Sequence, residues 1–195
     1  MEEQKLEKHQ TKIQNLRKIG GNTVLVKILE APTNEDWIKV KQRAYVTVGK
    51  ETDTAPDLAW KDKILEARHS PIRKLQFSFY IECPYWVSVH LCRHIHAQPY
   101  VQSQRNDRQN KYDREKAQQN AEVKMIFDVN AEELMVIANK RLCMKAAPET
   151  RTLVEIMCAM AVNRCPEFKR HLVPMCEYHG NTCHEMYPCG RCNKE

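Results

Sequence analysis

Two periodicities alternate along this chain. Thr23-Val24-Leu25-Val26-Lys27-Ile28-Leu29 is dense in β-branched and aliphatic residues and predicts a strand. Leu75-Gln76-Phe77-Ser78-Phe79-Tyr80-Ile81 alternates apolar with polar positions and predicts a second, and Val123 to Phe127 a third. Elsewhere apolar residues recur at helical spacing. Asn34 is placed to cap a helix carrying Trp37, Ile38, Val40 and Ala44, and Asp57 to Ala67 reads as a helix with Leu58, Ile64 and Leu65 inward. Pro84 suits the first turn of a helix through Trp86, Val89 and His90 to His94. Asn130 starts one with Leu134, Met135, Ile137 and Ala138, and Pro148 opens another with Leu153, Ile156, Met157 and Met160. With no regular βαβ alternation, the pattern predicts an α+β fold, a mixed sheet with several helices.

The polar stretches set the boundaries. Residues 1–20 read as a charged arm or helix closed by the breaker Gly20-Gly21-Asn22, residues 21–170 as one domain, and residues 171–195 as a tail rich in Cys and His. Val101 to Gln119 has almost no aliphatic residues and predicts a loop entering an exposed helix.

Composition narrows the function. The chain has 195 residues, 42% of them hydrophobic and 29% charged, enough for one substantial globular domain. Only five glycines are present, with no Gly-rich phosphate loop, which argues against P-loop and Rossmann nucleotide sites. The formal charge of +6 suits an anionic ligand. No apolar run approaches the roughly 18 residues of a membrane helix, and the charged start lacks a signal-peptide core, so the expected location is cytoplasmic. Basic residues cluster at Arg105, Arg108, Lys111 and Arg114, but Asp107, Asp113 and Glu115 interleave with them, so a nucleic-acid surface is not expected.

Nine cysteines without a secretion signal do not read as a disulfide framework. Cys83, Cys92, Cys143, Cys158 and Cys165 sit singly in apolar patterns, as small buried residues do. The tail differs. Cys176-x2-His179-x3-Cys183-His184-x4-Cys189-x2-Cys192 places six metal-compatible ligands close together, with zinc ligands expected at Cys176, Cys183, Cys189 and Cys192, and His179 or His184 as alternatives. A tail with few apolar residues would take its folding energy from the metal. The other readings are a disordered thiol-rich tail, or one packed on the body through Met175, Tyr178, Met186 and Tyr187.

The densest chemistry lies in Leu91-Cys92-Arg93-His94-Ile95-His96-Ala97-Gln98-Pro99-Tyr100-Val101-Gln102-Ser103-Gln104-Arg105. Arg and His at the end of an apolar run, with Ser and Arg about ten residues on, make a poor core and a good grip for a phosphorylated heteroaromatic ligand. His90, His94 and His96 also admit a metal reading, but no Glu stands between them in a His-Glu-x-x-His arrangement.

In order along the chain, His69-Ser70-Pro71, Phe77-Ser78-Phe79, Arg93-His94-Ile95 followed by seven residues and Ser103, Asn130-Ala131 with Arg141, and Ala146-Ala147-Pro148-Glu149 resemble the motifs of the flavin-dependent thymidylate synthases. The resemblance spans roughly residues 23–170 and implies that family's fold. It also implies its reaction, the reductive methylation of dUMP to dTMP using methylenetetrahydrofolate and NADPH with FAD as the cofactor. By the same resemblance Arg93, His94 and Asn130 hold FAD, while His90, Ser103, Arg105 and Arg141 meet the nucleotide. Arg141 is the catalytic residue, polarising the base. A homo-oligomer is implied, a tetramer with sites between subunits. The chain departs from the pattern at Ile95, Val101, Tyr100, His90, Lys74, Glu132 and Val136, which leaves the alternative of a nucleotide-binding relative without FAD chemistry.

Overall fold

The computed structural model describes residues 14–19, 22–105, 107–108, 113 and 115–194. The expected arm over residues 1–13, the breaker Gly20-Gly21, and Lys111 and Arg114 lie outside the described residues. Strand β1 (Gln14–Ile19) pairs with β2 (Asn22–Glu30), so the end of the charged segment is sheet rather than helix. Strands β3 (Gln76–Pro84), β4 (Ala97–Val101) and β5 (Glu122–Asn130) complete one sheet in the order β1-β2-β3-β5-β4. All its pairings are antiparallel, which corrects the expected mixed sheet. Two-residue strands β6 (Thr182–Cys183) and β7 (Asn193–Lys194) pair in parallel in the tail.

Helix α1 (Asn34–Val46) is capped by Thr33, not Asn34: the Thr33 hydroxyl and the Asp36 carboxylate satisfy each other's backbone N–H groups. Helix α2 (Leu58–Glu66) starts at Asp57, and its Leu58 faces solvent instead of the core. Helix α3 (Tyr85–Cys92) ends before His94, because Arg93 is already its C-cap. Helices α4 (Ala131–Arg141) and α5 (Pro148–Arg164) follow, then the single turn α6 (Met175–Tyr178). Among the described residues no helix is long and apolar enough to cross a membrane.

The core lies between one face of the sheet and the helices. Val24 and Val26, Phe77, Phe79 and Ile81, and Met125, Phe127 and Val129 pack on Trp37, Leu65, Leu134, Leu153 and Met157, all buried. Phe168 fills the middle, edge-on to Phe77 at 5.3 Å between ring centres. One buried ion pair sits inside this layer: Lys61 Nζ lies 3.2 Å from Glu167, with 10% and 7% of the two side chains exposed, and 4.9 Å from the Trp37 ring.

Strand β4 was hidden in sequence by its polar residues and by Pro99. Gln102 N donates to Lys124 O at 2.8 Å, so residues 98, 100 and 102 turn their N–H groups toward β5. Pro99, which has no N–H, therefore falls on the outer side of an edge strand, where such a residue is tolerated. No helix forms among the described residues between β4 and β5.

Candidate active site

Two chain reversals build the site. After α3 the chain turns tightly: His94 N donates to Leu91 O and Ala97 N to His94 O, both at 3.0 Å, which projects Arg93 and His94 from the helix end. Opposite, Asn130 leaves β5 and caps α4, its Oδ1 accepting from Glu133 N at 3.0 Å. Glu133 and Arg141 are eight residues apart and so share one face of α4, two turns apart.

His94 stands between them. Its Nδ1 is 3.0 Å from Glu133 Oε1, and Arg141 Nε donates to its Nε2 at 3.2 Å. Because Nε2 accepts, the proton of the neutral ring sits on Nδ1 and is donated to Glu133. Burial pushes the His94 pKa down and the Arg141 charge adds to this, against the opposing pull of Glu133. Arg141 Nη2 also donates to His90 O at 3.2 Å. His90 is anchored through Nδ1 to the buried Thr150 hydroxyl, 2.8 Å away at the start of α5. Burial lowers the His90 pKa, as do the charges of Arg141 and Arg93.

Arg141 itself is held below its ordinary value by burial and by the neighbouring Arg93 charge. The Arg93 charge thus acts on Arg141 at this corner, and the nearby carboxylate of Glu133 is bonded to His94. The Arg93 side chain has no hydrogen bond or ion pair among the described residues. Two such charges favour an anion or an electron-rich oxygen beside them. Asn130 also lines a polar cleft of about 320 Å³, together with Gln76, Ser78, His96, Gln98 and Asp128, among others. In it Ser78 Oγ donates to Asp128 at 2.6 Å, and Asn130 Nδ2 makes a long 3.5 Å contact with His96 O.

The structure brings together His90, Arg93, His94, Asn130 and Arg141. It does not bring Ser103 and Arg105 to them within one chain. Those residues follow the far end of β4, five extended residues or about 17 Å from the α3 turn. There the Ser103 hydroxyl accepts from Arg105 N, and the Arg105 guanidinium pairs with Asp107 at 2.7 Å. His90 and His94 do not share a helix face, since His94 lies beyond α3, so their metal reading lapses. Ile95 is 84% exposed beside Arg93. Glu132 forms an ion pair with Arg73, and Lys74 is exposed.

Sequence reasoning missed Glu133 and Thr150. Glu133 reads as an ordinary first-turn acid of α4, and only its position three residues after the capping Asn130 hinted that it faces the turn carrying His94. The nine cysteines are free thiols; Cys83, Cys158 and Cys165 are buried as expected, but Cys92 is exposed and Cys143 half-buried. The expected zinc ligands Cys176, Cys183, Cys189 and Cys192 line one cavity together with His179 and His184. Among the described residues no three His, Cys, Asp or Glu side chains already stand as a metal-holding set.

For FAD, the donor set is compatible at one end: Arg93 offers an unpaired guanidinium for a phosphate and His94 a ring for stacking. Both ring nitrogens of His94 and the side-chain oxygen of Asn130 are engaged within the chain.

No family model matches the sequence. No curated protein sequence matches it either. The fold, however, is similar to the crystal structure of the UMP/dUMP methylase PolB from Streptomyces cacaoi bound with 5-Br dUMP. That match covers 77% of this chain and 97% of the other, with a TM-score of 0.61 at 13% sequence identity.

Proposed function

We propose that this chain binds a pyrimidine nucleoside monophosphate of the dUMP type at the Arg93–Arg141 corner and methylates its base. The observation that carries the reading is the partly buried Arg141 guanidinium, held by the neutral acceptors His94 Nε2 and His90 O beside the turn that carries Arg93. The similarity of the fold to a UMP/dUMP methylase supports it.

In this reading Arg141 donates to a pyrimidine carbonyl and stabilises charge developing there as the ring is attacked. Glu133 and His94 set its orientation: the Glu133 carboxylate fixes the His94 tautomer, and His94 Nε2 fixes the Arg141 Nε–H. His90, held by Thr150, presents its carbonyl to the same guanidinium. The one-carbon donor is methylenetetrahydrofolate and the reductant NADPH, so that dUMP, methylenetetrahydrofolate, NADPH and a proton give dTMP, tetrahydrofolate and NADP+. Arg93, the ring face of His94, and Asn130 would hold FAD, which when bound supplies hydride chemistry that the side chains lack. The separation of Ser103 and Arg105 from Arg141 along β4 favours a homo-oligomer, a tetramer by the family resemblance. In such an assembly a second copy completes the nucleotide site.

A second reading, nucleotide binding without flavin, is favoured by one observation: His94 and Asn130 commit their hydrogen-bonding groups inside the chain. Calorimetry with dUMP and visible spectroscopy after incubation with FAD separate the two. Nucleotide binding with uptake of a flavin that bleaches on adding NADPH supports the methylase. Nucleotide binding by a colourless protein supports the second reading, and failure to bind dUMP removes both.

A further inference from the structure

The tail lies outside the site just described and has its own chemistry. Cys176, Cys183, Cys189 and Cys192 come from the single turn α6, from β6 and from the closing turn before β7, yet they face one cavity of about 290 Å³. The parallel bridge sets Thr182 opposite Asn193 and Cys183 opposite Lys194, so Cys183 in β6 and Cys192, just before β7, are offset from each other by two residues. Gly190, at φ +81, makes the left-handed turn that brings Cys189 and Cys192 to one side. Gly180 and Asn181, both at φ +66, reverse the chain between α6 and β6.

Hydrophobic burial does not explain this shape. Of the four apolar residues that could pin the tail, Met186 is 80% and Tyr187 73% exposed, leaving Met175 and Tyr178 at its base. Beyond them the tail closes around thiols. Thiols gathered beyond that apolar base suit a segment whose order comes from a metal. A zinc ion with four thiolates carries a net charge of −2; the same cavity is lined by Lys140, by Glu185 and by Arg191, which pairs with Glu177.

We propose that residues 175–192 form a structural zinc site with Cys176, Cys183, Cys189 and Cys192 as ligands. Binding turns the four thiols inward to one point and displaces their protons. Four protein sulfurs close the coordination shell, so the ion holds the tail and takes no part in turnover.

The test uses the full chain purified under reducing conditions. Its zinc content is measured, and cobalt is then titrated in as a spectroscopic substitute, alone and in competition with zinc. One zinc per chain is expected, with a cobalt spectrum of tetrahedral thiolate type. Each of Cys176→Ser, Cys183→Ser, Cys189→Ser and Cys192→Ser should weaken cobalt binding at least tenfold. Cys143→Ser, which touches the same cavity but accepts a bond from Lys145 N within its own turn, should leave it unchanged. Chelation of the wild-type protein should expose residues 175–194 to limited proteolysis while the body stays protected, a readout that does not depend on any variant folding. Absent or substoichiometric metal, an octahedral cobalt spectrum, or binding indifferent to the four substitutions overturns the proposal. So does a Cys176–Cys192 disulfide as the only product when the tail orders.

Discussion

Replacing Arg141 by Met separates a binding role from a structural one. The Met side chain keeps most of the apolar stem and removes the guanidinium. Within the protein the loss is two hydrogen bonds to neutral acceptors, His94 Nε2 and His90 O, each 3.2 Å long. At about 1.5–3 kcal/mol each for bonds from a charged donor this is at most roughly 3–6 kcal/mol, offset in part by relief of the burial and Arg93 repulsion that hold the Arg141 pKa down. For a chain of this size the melting temperature should fall by no more than about 20 °C. The ligand loses a charge-assisted donor, about 1.5–3 kcal/mol, so dUMP affinity should drop roughly 10- to 150-fold. Arg141→Lys keeps the charge without the planar fork and should fall between. Calorimetry with dUMP, with thermal unfolding of the same samples, reads both quantities. A folded Arg141→Met protein that binds dUMP within about twofold of wild type would refute the reasoning.

Three further outcomes are expected. Burial depresses the pKa of His171, which is 1% exposed, more than its bond to Asp62 raises it. His90 and His94 shift the same way, so the unfolded chain binds protons first as pH falls below about 6.5, and stability should decline from there. A urea midpoint that stays flat between about pH 7.5 and 5.5 would contradict this. Lys61→Ala strands Glu167 in the core and should cost about 3–5 kcal/mol, whereas the double change Lys61→Met with Glu167→Met should cost far less; equal costs would count against a buried pair. Asn130→Ala removes the α4 cap and should cost about 1 kcal/mol, seen as a melting point lower by about 2–4 °C.

The legible parts of the sequence were those where one physical signal had no competitor. The alternation around Phe77 and Phe79, the capping Asn130 and the Pro148 start each match the element found. Asn34 lost its cap to Thr33 because two adjacent residues could serve and the partner Asp36 suits only Thr33. The polar composition after His96 concealed β4, whose pairing with β5 is dictated by the sheet and not by its own side chains. Of the site, the residues near Arg93 could be grouped from motifs alone. Glu133 could not, since its role depends on two helices meeting, and the distance of Ser103 from Arg141 is set by the length of a strand that composition hid.

The outer side of β4 has a consequence for assembly. Of its outward positions, Ala97 already donates to His94 O, Pro99 has nothing to donate, and only Val101 keeps a free-facing N–H. That border offers almost no donors to an incoming strand, so it is a poor template for two molecules to fuse their sheets or to seed a growing fibril. Contact between copies on that flank is left to side chains, a joint that residue changes can tune.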